Sequence, residues 1–218
     1  MRLKDLKKSD TADVPYAGTL TDSVGDTHYE LAISGSSRLI QKVFADSEFE
    51  YQIEPKANEK DAIQRYQEIW DRNTIMDASL GRPETVAALD KAVPAAATAK
   101  NSIVVSLRRT EGQGTWWWFW FPLLALPTGA NLFFILPPIC NCSGFVVPVT
   151  GDPDLFLSAN GPRNPIIAAS TRGAGAIDRV AFGPVICWPW QEFVPWFRVN
   201  AFTTCVASFG MSGFGVVP

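Results

Sequence analysis

The sequence predicts a mainly β protein whose C-terminal half forms a sandwich or barrel. Residues 115–218 hold four of the 19 Lys/Arg and four of the 22 Asp/Glu, together with seven of the eight tryptophans. A half with so few charges must bury an unusual amount of apolar surface. Short apolar or alternating runs separated by Gly, Pro, Asn and Asp are typical of strands joined by turns. Such runs predict strands at 103–109, 145–149, 154–158, 166–170, 179–182, 193–201 and 203–209.

The uncharged stretch 115–139 is long enough for a membrane helix, which needs about 20 apolar residues. Pro122, Pro127 and the Pro137-Pro138 pair interrupt it, and proline breaks helices. Its aromatic run at 116–121 favours a pleated strand, and 127–131 reads as a turn. We therefore predict a hairpin whose strands are buried on both faces, with insertion of 116–139 into a membrane as the alternative.

The N-terminal half predicts a smaller α+β region. Apolar residues alternate with polar ones at 29–33 and 49–53, and 39–44 is a further apolar run, so three antiparallel strands are expected. An apolar stripe that follows Asn58 predicts a helix, and a second, shorter helix is expected between Pro83 and Pro94. The predicted organisation is an N-terminal region at 1–93, an alanine-rich linker at 94–102 and a Trp-rich domain at 103–218.

Four segments of the C-terminal half resemble the bacterial pre-peptidase C-terminal domain. They are Phe-Trp-Phe-Pro at 119–122, Pro-Thr-Gly-Ala-Asn-Leu at 127–132, Gly-Asp-Pro-Asp-Leu-Phe-Leu at 151–157, and the pair 193–199 and 202–209 ending near Gly213. The resemblance covers about 103–218. It implies a compact jelly-roll-like β-sandwich that accompanies secreted enzymes in folding, secretion or substrate attachment and sometimes binds calcium. The chain departs from that pattern by placing Trp and Phe at many polar strand positions.

Two kinds of site residue have more than one interpretation. Asp152 and Asp154 offer hard oxygen ligands two residues apart, so they are calcium candidates, or they cap an Asp-Pro turn with their own side chains. No other cofactor is indicated. Four cysteines, Cys140, Cys142, Cys187 and Cys205, allow three disulfide pairings or remain buried thiols, and their spacing does not suit zinc.

The composition argues against several function classes. A net charge of −3 without a dense basic cluster argues against nucleic-acid binding. The single histidine, His28, lies on the polar side of a predicted strand, and none of the nucleophile, zinc-protease or phosphate-loop motifs we considered occurs, so we do not expect an enzyme. The first ten residues lack the apolar run of a signal peptide, while the cysteines and the resemblance favour an extracellular or surface location.

Aromatic side chains are the candidate binding residues. Consecutive residues of a strand point to opposite faces, so the run at 116–118 must leave some indoles outside the core. The proline between Trp188 and Trp190 predicts a rigid loop that presents two rings. The candidates are Trp116, Trp118, Trp188, Trp190 and Trp196. We expect a non-catalytic subunit that contacts a protein assembly or a second copy of itself. A membrane surface and a polysaccharide are the alternative partners.

Overall fold

The computed structural model describes residues 1–10, 15–22, 28–55, 101–109, 115–136, 141–159, 166–182 and 195–215. Strands dominate this part of the chain, which confirms the mainly β prediction. The elements are a 3-10 turn at Leu3–Asp5, β1 (Lys7–Lys8), β2 (Tyr16–Thr21), β3 (His28–Gly35), α1 (Ser37–Phe44), β4 (Glu50–Pro55), β5 (Ser102–Arg109), β6 (Thr115–Leu126), β7 (Asn131–Ile135), β8 (Asn141–Thr150), β9 (Pro153–Ala159), β10 (Ile166–Ser170), β11 (Asp178–Phe182), β12 (Pro195–Ala201) and β13 (Cys205–Gly215).

Two sheets face each other, and the eight strands from β6 to β13 are divided evenly between them as in a jelly roll. One sheet contains the order β11-β8-β13-β6 and the other the order β7-β12-β9-β10. Numbered along the chain from one to eight, these strands give sheet orders 6-3-8-1 and 2-7-4-5, which is jelly-roll connectivity. The jelly-roll-like sandwich is therefore present as the sequence led us to expect.

Strands from the N-terminal half extend both sheets. β4 pairs with β6 and makes the first sheet five-stranded, while β5, β3, β2 and β1 continue the second sheet beyond β7 and make it eight-stranded. The β5–β7 pair is parallel and the other named strand pairs are antiparallel. Strands on both sides of the predicted 94–102 linker thus share the same sheets. Most of the linker lies outside the described residues, and that boundary stays a prediction.

The hydrophobic core lies between the two sheets and is built from aromatic rings. Phe134 of β7 stacks on Phe209 of β13 with ring centroids 4.3 Å apart, and Phe121 of β6 lies 5.4 Å from Phe134. Trp117 and Phe197 are fully buried in the same cluster. Close-packed rings from both sheets hold the sandwich together, since each buries a large apolar area.

The run at 39–44 is a helix, so our strand prediction there was wrong. α1 buries Leu39, Ile40, Val43 and Phe44 and leaves Gln41 and Lys42 exposed. That spacing places all the apolar side chains on one helical stripe. Phe44 contacts Phe121 with centroids 6.0 Å apart, so the stripe packs against the rim of the core.

The stretch 115–136 forms two strands, but they do not form the predicted hairpin. β6 pairs with β4 and β13, whereas β7 pairs with β5 and β12 in the opposite sheet. The turn at 127–130 therefore crosses from one sheet to the other. β7 is buried on both faces as predicted, while β6 has one partly exposed face. No helix in the described part of the chain is long and apolar enough to span a membrane.

The remaining strand predictions are confirmed, although β8 begins four residues earlier and β13 ends six residues later than predicted. The seven C-terminal strands correspond to β5 and β8–β13, and the alternating runs at 29–33 and 49–53 correspond to β3 and β4. β3 and β4 lie in different sheets. Both predicted helices after Asn58 lie outside the described residues. β2 was not predicted, because its Gly and Ala positions weaken the alternating pattern.

Candidate interaction surface

β6 divides its aromatic side chains between the core and the outside. Trp117, Phe119 and Phe121 point into the sandwich and are at most 2% exposed. Trp118 and Trp120 have the opposite parity, so they point away from the core. The strand thus builds the core and the outer surface of the five-stranded sheet with residues of one chemical type.

Two bulges add apolar side chains to that outer surface. The register between β6 and β13 slips at Pro122 and Leu123, which together face Ser208. The register between β8 and β13 slips at Val149. A bulge places an extra residue in one strand and re-aims its side chain. Leu123 and Val149 are 49% and 65% exposed in consequence.

We call this surface the docking face and define it as the apolar outer side chains of β6 and β8. It consists of Trp118, Trp120, Leu123, Phe145, Val147 and Val149. The described part of the chain has five exposed large hydrophobic side chains, and Trp120, Leu123 and Val149 are three of them. Exposed apolar side chains that gather on one face mark interaction sites more strongly than scattered ones.

The polar atoms of the docking face already have partners within the sheet. The Trp118 indole N–H donates to Gln52 Oε1 at 2.9 Å, and the Trp120 indole N–H donates to Ser208 Oγ at 2.7 Å. On the next strands the hydroxyls of Ser143 and Ser212 lie 2.9 Å apart. A partner can therefore cover this face without leaving these groups unsatisfied, which would otherwise oppose binding.

Charge is confined to the two edges of the docking face. Among the described outward side chains of the five strands, the charged ones are Glu50 on β4 and Arg179 on β11. β4 and β11 are the outermost strands of the sheet, with β8, β13 and β6 between them. An apolar centre with a charged rim is the usual anatomy of a protein interface.

An open depression of about 510 Å³ borders the docking face along β4. Phe49, Tyr51, Gln52 and Trp118 line it, together with Met1 and Glu50. The Phe49 N–H donates to the Met1 carbonyl at 2.8 Å, so the first residues extend the start of this edge. The depression is continuous with the docking face through Trp118 and widens the surface that a partner could cover.

The predicted aromatic binding residues do not form one surface. Trp118 belongs to the docking face, and Trp116 lies on the same strand with no description of its side chain. Trp196 is half-buried on β12 of the other sheet, edge-on to Phe133 at 6.4 Å. Trp188 and Trp190 lie outside the described residues. Trp120 was not among the candidates predicted from the sequence. Its position two residues after Trp118 could have identified it, because residues i and i+2 of a strand lie on the same face.

Apart from the docking face, a polar cluster lies on the outer side of the eight-stranded sheet around Arg198. The guanidinium of Arg198 lies 5.9 Å from the Phe133 ring centroid and 5.4 Å from that of Phe156, and its Nε donates to Asn131 Oδ1 at 2.7 Å. Arg198 is only 6% exposed. Burial lowers its pKa to about 10, and the nearby Asp154 opposes that shift. The two rings and the amide hold this buried cation in place.

Two buried aspartates lie near this cluster, and the charge of Asp178 acts on Asp154. Burial raises the pKa of Asp154 to about 7, helped by the charges of Asp178 and Asp152 and opposed by Arg198. Burial also raises the pKa of Asp178 to about 6, although its carboxylate accepts hydrogen bonds from Ser170 Oγ at 2.6 Å and the Arg172 N–H at 2.9 Å. Asp178 therefore anchors the loop 171–177 to the end of β10.

The calcium candidates lie in one turn and at the start of the strand that follows it. Asp154 is buried on β9 opposite Asn200, and Asp152 lies half-exposed in the preceding turn. No group of three or more His, Cys, Asp or Glu that could hold a metal occurs in the described ranges. Two carboxylates supply at most four of the six to eight oxygens that calcium takes, so a calcium site at this turn stays a prediction.

Cys142 and Cys205 are buried free thiols. Cys142 pairs with Gly213 near one end of β13, whereas Cys205 begins that strand. At ~3.3 Å per residue the two are on the order of 26 Å apart, which excludes a bond between them. Burial raises the pKa of both thiols, that of Cys205 to about 11. The disulfide prediction is thus not realised for this pair, and Cys140 and Cys187 lie outside the described residues.

No protein-family model matches the chain, and no curated protein matches it significantly. The resemblance to the pre-peptidase C-terminal domain therefore stays a prediction. The docking face and the Arg198 cluster are the two features from which function can be argued.

Proposed function

We propose that this protein is a non-catalytic structural subunit that docks onto a larger assembly through the docking face. The observation that supports this proposal most strongly is the group of exposed apolar side chains on the five-stranded sheet. Its central residue, Trp120, is 37% exposed. Aromatic side chains at the centre of a charge-poor patch are the residues that contribute most to protein interfaces.

Satisfied hydrogen bonds favour a protein partner for this face. The indole N–H groups of Trp118 and Trp120 are bound within the sheet, so they are not free to donate to a ligand. Recognition then rests on burial of apolar area, at about 25 cal/mol for each Å² removed from water. A complementary apolar protein surface meets that requirement, because it brings few polar groups that would need new partners.

The fold is compatible with an assembly role without deciding it. Jelly rolls serve as viral capsid subunits and as lectins, among other uses, so the architecture alone selects no function. Both outer strands of the five-stranded sheet carry charged side chains, Glu50 and Arg179, and charges at sheet edges discourage indiscriminate strand addition. The broad face between those edges is the better-suited contact.

Sedimentation of the chain in an extract of its source organism tests this proposal. We expect the wild-type chain in a species larger than its own 23.9 kDa, and Trp120→Ser should shift it to the monomer position. Ile167→Ser is the matched control, because Ile167 is 42% exposed on the eight-stranded sheet. A wild-type chain found at monomer mass, or a Trp120→Ser chain that sediments with the wild type, would contradict the proposal. Urea denaturation verifies that each variant folds.

A further inference from the structure

One row of residues crosses the docking face from edge to edge. Strand pairing places Glu50 of β4 opposite Trp120 of β6, and Trp120 opposite Gly210 of β13. Gly210 in turn faces Phe145 of β8, which faces Arg179 of β11. The row therefore reads acid, aromatic, glycine, aromatic, base, one residue per strand.

Glycine at the centre of the row lets the neighbouring ring lie over the central strand. A Cβ atom at Gly210 would collide with the Phe145 ring, so that ring covers β13. Trp120 leans toward the same strand, because its indole N–H donates to Ser208 Oγ. Two aromatic side chains thus flank the central strand, one from each side.

This order is self-complementary under one two-fold rotation. A rotation about an axis along β13 brings a second copy face to face and exchanges the ends of the row. Glu50 then lies over Arg179 of the other copy, and Trp120 lies over its Phe145. An axis across the strands would instead place Glu50 over Glu50 and Arg179 over Arg179, which like charges disfavour. Charge therefore selects the axis along β13.

The distances suit such a packing. Strands are ~4.8 Å apart, so the ends of the row lie about 10 Å from the axis. Packed sheets commonly cross at about 30°, which here means tilting the axis by about 15° from β13, and this displaces those ends by about 5 Å. The long side chains of Glu and Arg can span that displacement. The two aromatic residues lie about 5 Å from the axis, where the rotation moves them less.

The contact area reaches what a weak specific dimer needs. The docking face and the two charged edge strands together are five strands wide and about seven residues long, or roughly 24 Å by 23 Å. Two copies would bury roughly 1,100 Å² together, just above the ~1,000 Å² expected of a biological interface. A dimer of this size depends on concentration and is sensitive to single charges at its rim.

We infer that the partner of the docking face is a second copy of this chain, packed about a two-fold axis along β13 with Glu50 of each copy against Arg179 of the other. The inference rests on the proposed function and identifies the occupant of the same face. It makes the contact isologous, so each charge pair occurs twice in the dimer.

Sedimentation velocity of the purified full chain over a range of concentrations tests the inference. The wild type should dimerise, and Glu50→Arg and Arg179→Glu should each weaken the dimer by roughly tenfold or more, since each creates two like-charge contacts. A mixture of the two variants should recover dimers within about threefold of the wild-type Kd, because both crossed pairs are then opposite in sign. Arg38→Glu on the exposed surface of α1 is the matched control and should dimerise as the wild type does.

The possible outcomes distinguish a failure of this inference from a failure of the proposed function. Recovery in the mixture supports the inference. A dimer that ignores both substitutions, or a mixture that stays monomeric while each variant is folded, overturns it. A wild-type chain that is monomeric at all concentrations also overturns the inference. The proposed function survives that result if the Trp120→Ser chain is absent from the large species in extracts while the wild-type chain is present in it. If that substitution has no effect there, the proposed function fails as well.

Discussion

At the residue scale, glycine and aromatic side chains complement each other on both faces of the five-stranded sheet. Inside the sandwich, a Cβ at Gly144 would lie 2.6 Å from Phe197 Cε1, and one at Gly213 would lie 2.6 Å from Trp117 Cζ2. Outside, Gly210 accommodates Phe145 in the same way. The absence of a side chain at these positions is what allows large rings to lie against the strands.

Gly144→Ala should destabilise the protein by about 1–3 kcal/mol, because the new methyl group must displace the fully buried Phe197 ring. The free energy of unfolding from urea denaturation measures this loss. Gly173→Ala is the control, since no atom lies within 4 Å of its ideal Cβ, and it should be close to neutral. Equal free energies of unfolding for the two variants would show that the ring is free to move aside.

Asp154 and Asp178 predict that stability falls as pH rises. Their pKa values of about 7 and about 6 exceed the ~3.9 of an unfolded aspartate, so between pH 4 and 7 the folded state holds more protons. The free energy of unfolding must decrease through that window, by about 1.4 kcal/mol for each unit of pKa shift and so by several kcal/mol for the two groups together. Urea denaturation of wild type and Asp154→Asn measures it. The variant should have a flatter profile, and identical slopes would contradict the burial that we assign to this carboxyl.

At the element scale, β6 serves the core with one face and the surface with the other. Trp117→Ala should lower the free energy of unfolding by about 3–5 kcal/mol, because its side chain is fully buried. Trp120→Ala, three residues later, should leave stability within about 1 kcal/mol and weaken association. Denaturation midpoints and sedimentation of both variants measure the two effects. The reverse pattern would mean that the strand register is wrong.

Local pattern predicted most strands and misassigned one element. The run at 39–44 is short and apolar, and we read it as a strand although exposed Gln41 and Lys42 between buried pairs fit a helical stripe better. The turn at 127–130 was recognised, but not that it crosses the sandwich. Its backbone bonds to β12, with the Ala201 N–H donating to the Ala130 carbonyl at 3.0 Å. Such long-range pairing leaves no trace in the turn residues themselves.

At the scale of the whole molecule, the sequence alone predicted the sandwich but did not predict the docking face. Trp118 was a candidate because consecutive tryptophans must alternate, whereas the bulges that expose Leu123 and Val149 depend on register between distant strands. The row from Glu50 to Arg179 joins residues 129 positions apart in the chain. The row depends on the pairing of β4 with the jelly-roll strand β6, so no local sequence motif could have predicted it.

Hydroxyl-radical labelling of Trp120 tests the central claim most directly. The largest native species containing the chain is compared with the dissociated, folded chain, and the labelled residues are identified by mass spectrometry. We predict that labelling of Trp120, Leu123 and Val149 falls severalfold in the native species, while labelling of Ile167 on the other sheet stays unchanged. Equal labelling of Trp120 in both states would show that the docking face remains open to solvent and would contradict the account.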